Sequence, residues 1–156
     1  MTVNEQVTLN QSEAKNVGRD LLNSKTAIKL RLGGYSMYPN LLPDDIATVE
    51  QIEPSSLELG QVLVVEIENR WIAHRLVALK AIDGEITLQT QGDSVIRPDA
   101  WLPSSKLIGV ARKVVRNERA VSLSPSVSFI FVSLRPLPQI MSRIVLRLRN
   151  KLLKLF

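Results

Sequence analysis

Between residues 26 and 115 the chain breaks into short β-type runs separated by turn-forming residues, and this punctuation restricts its fold more than any other feature. The runs are residues 27–32, 46–52, 62–68, 71–79, 86–91 and 106–115. Between them stand Gly33-Gly34, Pro43-Asp44-Asp45, Glu68-Asn69-Arg70, Asp83-Gly84 and Arg97-Pro98-Asp99. Asp83-Gly84 gives the strongest hairpin signal, because both residues tolerate the positive φ of a tight type I′ turn. The expectation is a mainly β fold with its core in residues 26–118. With 45% hydrophobic residues in 156, the chain has enough apolar material for one such core and an appendage.

The two ends differ from this middle. Residues 1–25 read as an N-terminal arm. Ser12 is placed to cap a short helix running to about Asn23, with Val17, Leu21 and Leu22 at helical spacing. Residues 119–156 form a tail with seven basic side chains and no acidic one, whereas the preceding 118 residues hold 13 basic and 15 acidic. The formal charge of +5 therefore belongs to the tail. A helix over residues 139–156 gathers Ile140, Ile144, Leu148, Leu152 and Phe156 on one broad side and Arg143, Arg147 and Lys154 opposite. This amphipathic, basic pattern suits an anionic membrane surface, met through residues 137–156. Docking on the chain's own core or on a partner subunit is the competing reading. Nucleic acid is not expected as a partner, since no aromatic residues interleave with the basic ones.

The apolar run 127–134 is far below the roughly 20 residues of a membrane span, and residues 1–12 lack the apolar stretch of a signal peptide. The expected location is the cytoplasm, peripheral at the inner face of the membrane.

The chain has no cysteine and one histidine, which removes disulfides, thiolate chemistry and the usual zinc ligand sets, so neither a metal nor another cofactor is expected. What remains for chemistry is a serine with a base. Ser36, in Gly34-Tyr35-Ser36-Met37-Tyr38-Pro39, follows a strand and a Gly-Gly pair, where the backbone turns sharply and leaves a side chain exposed. A lone serine in such a place ordinarily bonds locally. His74 shares a strand face with Ile72 and Leu76, ordinarily the setting of a core histidine, and Arg75 points to the opposite face as a structural or charge partner. Asp93 and Asp99 both sit at turns. One of them is suited to orient the imidazole and the other to hold its loop, and spacing alone does not assign the two roles. Met37 offers an apolar body to line a substrate groove or anchor the loop. Lys80, six residues after His74 and near a turn, is expected to be solvated and not a base.

The order Gly-x-Ser-Met-x-Pro, then residues 41–45, Gly60 to Val65, His74-Arg75, Gly92-Asp93-Ser94 with Asp99, and Ile108-Gly109 resembles the type I signal peptidases, whose catalytic core is shared by the SOS-response repressors. The resemblance spans residues 33–115. It implies a signal peptidase-like β fold, with Ser36 as nucleophile and His74 as base. The histidine resembles the archaeal, endoplasmic-reticulum and sporulation branch, where most bacterial members have lysine. It further implies Asp99 as the orienting carboxylate and Asp93 as its support. Three positions depart from the pattern. Gly34 stands where many members have a hydroxyl that helps bind the oxyanion, which leaves more of that task to the Ser36 amide. Gln61 replaces an aspartate, and Ser94 replaces an asparagine.

The activity expected is that of a serine endopeptidase acting on an extended peptide or preprotein, with small side chains just before the cut. The alternative is a peptide-binding or regulatory module that retains the fold without hydrolysis.

Overall fold

The computed structural model describes residues 11–82 and 84–123. Helix α1 (Gln11–Asn23) precedes eight strands: β1 (Ile28–Arg31), β2 (Ile46–Glu50), β3 (Val62–Ile67), β4 (Arg70–Ile82), β5 (Glu85–Gln91), β6 (Leu102–Pro103), β7 (Leu107–Arg116) and β8 (Arg119–Val121). They form one curled antiparallel sheet in the order β1-β2-β7-β3-β4-β5-β6, with β8 on β7. The mainly β architecture and the N-terminal helix agree with the sequence reading. The expected C-terminal helix lies outside the described residues, as does the rest of the tail beyond residue 123.

Three details correct that reading. Ser12 is the second residue of α1 as described and not the residue before it. The sheet continues past residue 118, because β8 pairs with β7 through Val114↔Val121 and Arg116↔Arg119. β6 was not foreseen, since two residues are too few to show an alternating pattern.

Turn chemistry sets the register. The partners Ile67↔Arg70, Ile82↔Glu85 and Arg116↔Arg119 enclose loops of two residues each. Glu68 and Asn69 have φ of 48° and 57°, and Asn117 and Glu118 have 45° and 66°. Both central residues of these two loops are left-handed, as a type I′ turn demands, so its twist matches that of the strands it joins. Gly84, with φ of 81°, occupies the same region in the β4–β5 loop.

Period-two alternation divides the apolar side chains between two clusters. Val62 and Val64 of β3 join Met37, Leu41, Val49 and Val114 in one, while Leu63 and Val65 join Leu76, Leu88 and Val110 in the other. Register shifts at Thr48/Val49, Val64/Val65 and Leu76/Ala78 add local twist and help the sheet curl. α1 lies against the β3–β4 hairpin. Leu22 enters the first cluster, Arg19 pairs with Glu66 at 2.9 Å, and a Cβ on Gly18 would come 2.8 Å from the Trp71 ring.

One edge of β7 is shared. Its first half pairs with β3 and its last residues pair with β8, so the lead-in to β3 and the exit of β8 meet along that edge. Arg75 fills the junction. Its Nη1 donates at 2.7 Å to both the Gly60 and the Leu123 carbonyls, while Nε and Nη2 donate to the two Asp93 oxygens at 2.8 and 2.7 Å. Both charged side chains are wholly buried. Removing one partner leaves the other charge uncompensated in a low dielectric. Arg75→Ala is therefore expected to lower the unfolding free energy by about 3–5 kcal/mol, read from the urea midpoint.

Candidate active site

Ser36 sits in the turn that links β1 to β2. Gly34 adopts φ of 76° just before it, and Tyr38 N–H bonds back to the Tyr35 carbonyl at 3.0 Å, closing a tight turn that presents the Ser36 side chain outward. The Tyr38–Pro39 peptide is cis. Met37, only 5% exposed, belongs to the first apolar cluster and also floors the groove beside Ser36, so it anchors the loop as well as lining the groove.

His74 lies on β4 opposite Leu63. Its ring bridges two loops: Nε2 is 2.9 Å from Ser36 Oγ and Nδ1 is 2.7 Å from Asp99 Oδ2. The His74 and Asp99 side chains are 9% and 20% exposed, little enough that water competes weakly for these bonds. Burial raises the Asp99 pKa, but hydrogen bonds from His74 and Thr90, with the charge of the ring, outweigh it and hold the carboxyl below its ordinary value. An ionised Asp99 only accepts hydrogen bonds. In the neutral ring, His74 Nδ1 therefore carries the proton that it donates, and Nε2 accepts from Ser36 Oγ–H.

Asp99 is itself held firmly. Thr90 Oγ1 donates to its Oδ2 at 2.7 Å, its N–H donates to the Thr90 carbonyl at 2.8 Å, and Gln89 Nε2 donates to its carbonyl at 3.0 Å. Asp93, in contrast, does not face His74. Its carboxylate is taken up by Arg75 and by Asn40 Nδ2. The two carboxylates left open by spacing thus have separate surroundings, one at the imidazole and one beneath the loops.

The loop after β5 presses on the Ser36 turn. A Cβ at Gly92 would lie 2.5 Å from the Ser36 carbonyl oxygen and 3.0 Å from its Cβ, so only glycine permits this approach. Ser94 N–H donates to the Ser36 carbonyl at 2.9 Å, and Ser94 Oγ lies 2.9 Å from both the Tyr35 and the Ser36 carbonyls. Among the described residues, the N–H groups of Ser36 and Met37 make no hydrogen bond, so both remain available as donors.

A groove of about 200 Å³ runs from Ser36 between β1 and the start of β4, with Leu30, Leu32, Gly34, Ile72, Ala73 and Trp71 along it. Within the described residues β1 pairs only with β2, and residues 70–74 of β4 pair only with β3. Two strand edges with free backbone groups therefore flank the groove.

The sequence reading passed over Asn40 and Thr90. Thr90 was within reach of it. On β5 it takes the inward alternation of Leu88 and is fully buried, and a hydroxyl in a core position needs a partner. Gln61 acts in a turn, its Oε1 accepting Glu58 N–H at 3.3 Å. Lys80 is exposed, as expected, with its ammonium 3.9 Å from the centre of the Trp101 ring. No group of metal-ligating side chains occurs among the described residues, and none of the helices there is long and apolar enough to cross a membrane.

Asp45 resembles Asp99 electrostatically. It is 1% exposed, and burial raises its pKa, but hydrogen bonds from Arg116 and the Leu42 N–H, with the Arg116 charge, bring it below the ordinary value of 3.8. A depressed carboxyl pKa adds stability that is complete above the unfolded value and is lost as pH falls through the folded one. Unfolding free energy should stay level on this account from neutral pH to about 4 and then decline, and Asp45→Asn should flatten the decline in urea titrations at successive pH values.

Comparison with known proteins adds no relative: no family model and no curated protein matches the chain.

Proposed function

We propose that this chain is a serine endopeptidase of the type I signal peptidase-like class, with Ser36 as nucleophile, His74 as base and Asp99 as the carboxylate that orients it. The continuous path Ser36 Oγ, His74 Nε2, His74 Nδ1, Asp99 Oδ2, with contacts of 2.9 and 2.7 Å, carries this reading. Such a path activates a hydroxyl that is otherwise a poor nucleophile at neutral pH.

The substrate is an extended peptide lying in the groove, where the free edges of β1 and β4 pair with its backbone as an added strand. Ser36 Oγ attacks the scissile carbonyl carbon while its proton passes to His74 Nε2. The carbonyl oxygen becomes an oxyanion facing the Ser36 N–H. As the C–N bond breaks, His74 returns the proton to the leaving amine, and an acyl ester remains on Ser36. Water, deprotonated by His74, attacks that ester, the bond to Ser36 Oγ breaks, and His74 returns the proton to Oγ as the acid is released. Asp93 takes no part in proton transfer and supports the loops through Arg75. The basic tail, residues 137–156, holds the enzyme at an anionic membrane surface.

Cleavage-site profiling of a diverse peptide mixture tests the chemistry. Ser36→Ala should abolish all cuts while leaving the thermal midpoint unchanged within a few degrees, and Asp99→Asn should lower kcat by about 10⁴-fold, as expected when the wrong imidazole tautomer prevails. Peptides that bind the wild type and are not cut would instead mark a binding module. For the tail, deletion of residues 137–156 should abolish flotation with anionic liposomes and leave peptide cleavage in solution intact. Equal flotation of both forms would remove the membrane role.

A further inference from the structure

We infer that Ser94 is a positioning residue, which sets the direction of the oxyanion-binding amide by holding the two carbonyls on either side of it. The inference rests on the peptidase reading and concerns how that site is built in this chain.

A trans peptide is planar, with its N–H antiparallel to the C=O of the preceding residue. Fixing the Tyr35 carbonyl therefore fixes the Ser36 N–H, and fixing the Ser36 carbonyl fixes the Met37 N–H. Ser94 does both. Its hydroxyl proton is shared between the two carbonyl oxygens at 2.9 Å each, and its own N–H adds a second bond to the Ser36 carbonyl at 2.9 Å. Both N–H groups consequently point away from the Ser94 loop.

Ser94 itself is anchored. It lies in a turn closed by Val95 N–H to the Gly92 carbonyl at 3.0 Å, between Gly92, packed on Ser36, and Asp93, tied to the buried Arg75. The glycine at position 34 supplies no hydroxyl to the oxyanion, so the backbone donor must be held all the more firmly. Ser94 bonds to the Tyr35 and Ser36 carbonyls and not to Ser36 Oγ or the His74 ring, and acts through the peptide planes around Ser36.

The test compares wild type, Ser94→Ala, Ser94→Thr and Ser36→Ala in their rate of labelling by an alkyl fluorophosphonate, whose phosphoryl oxygen occupies the oxyanion position, together with kcat and KM on a cleaved peptide. Ser94→Ala should label about 3- to 10-fold more slowly and lose kcat by the same factor at unchanged KM. Ser94→Thr, which keeps the hydroxyl, should restore both. Thermal melts of the exposed-site variants should coincide. Labelling of Ser94→Ala at the wild-type rate overturns the inference, as does failure of Ser94→Thr to restore the rate or a change confined to KM. Loss of folding in Ser94→Ala also overturns it, making Ser94 a structural residue. Wild-type protein that shows no Ser36-dependent labelling overturns the peptidase reading and the inference together, and is told apart from the other outcomes by the Ser36→Ala control.

Discussion

Arg75 places a guanidinium where no solvent reaches, and four of its contacts are distributed over elements far apart in sequence: the Asp93 carboxylate, which takes two, the Gly60 carbonyl and the Leu123 carbonyl. Burying a charge is costly, and the cost is offset only where geometry and hydrogen bonding are nearly complete. The bidentate pair meets that condition. Its consequence is positional, because the loop carrying Asp93 cannot drift without stripping a buried charge of its partner. That same loop carries Gly92 and Ser94 against the Ser36 turn. The placement of the serine is thus traceable to an ion pair that never touches it.

His74 and Arg75 show how one strand serves two purposes. Adjacent residues on β4 point to opposite faces, so one delivers an imidazole to Ser36 and the next delivers a fixed charge to the interior. The register of β4 against β3 locks both at once. A slip of one residue in one direction would bring Arg75 to the serine and Leu76 to Asp93, and in the other Ala73 to the serine and His74 to Asp93. The candidate site and the buried ion pair are therefore specified by the same constraint, imposed through the hairpin at Glu68-Asn69.

Much of this was legible in the sequence, for identifiable reasons. The strands were visible because alternation and turn residues are local properties, and six of the eight were placed within a few residues of their ends. β8 was not, because Asn117-Glu118 does not advertise a type I′ turn, and its short run looked like the start of the basic tail. The residues at the site were legible one by one, as the only histidine, a serine after Gly-Gly and two carboxylates at turns. Which carboxylate met the ring was not legible from spacing, since 25 positions separate His74 from Asp99 and only the curl of the sheet brings them together; the resemblance alone pointed to Asp99. Asn40 and Thr90 escaped because side chains that hold other side chains leave no pattern in composition or period.

The two strand edges beside the serine, unpaired among the described residues, impose a condition on conformation before any on composition. A helix has already spent its backbone donors and acceptors internally, and a strand within a sheet has spent them on its neighbours. Neither has anything to offer the edges of β1 and β4. Whatever enters the gap must arrive with its main chain unclaimed over several residues. As the peptide groove of the proposed function, the gap would therefore discriminate against folded protein in general, and tell a chain that has not yet folded, or has locally opened, from one that has.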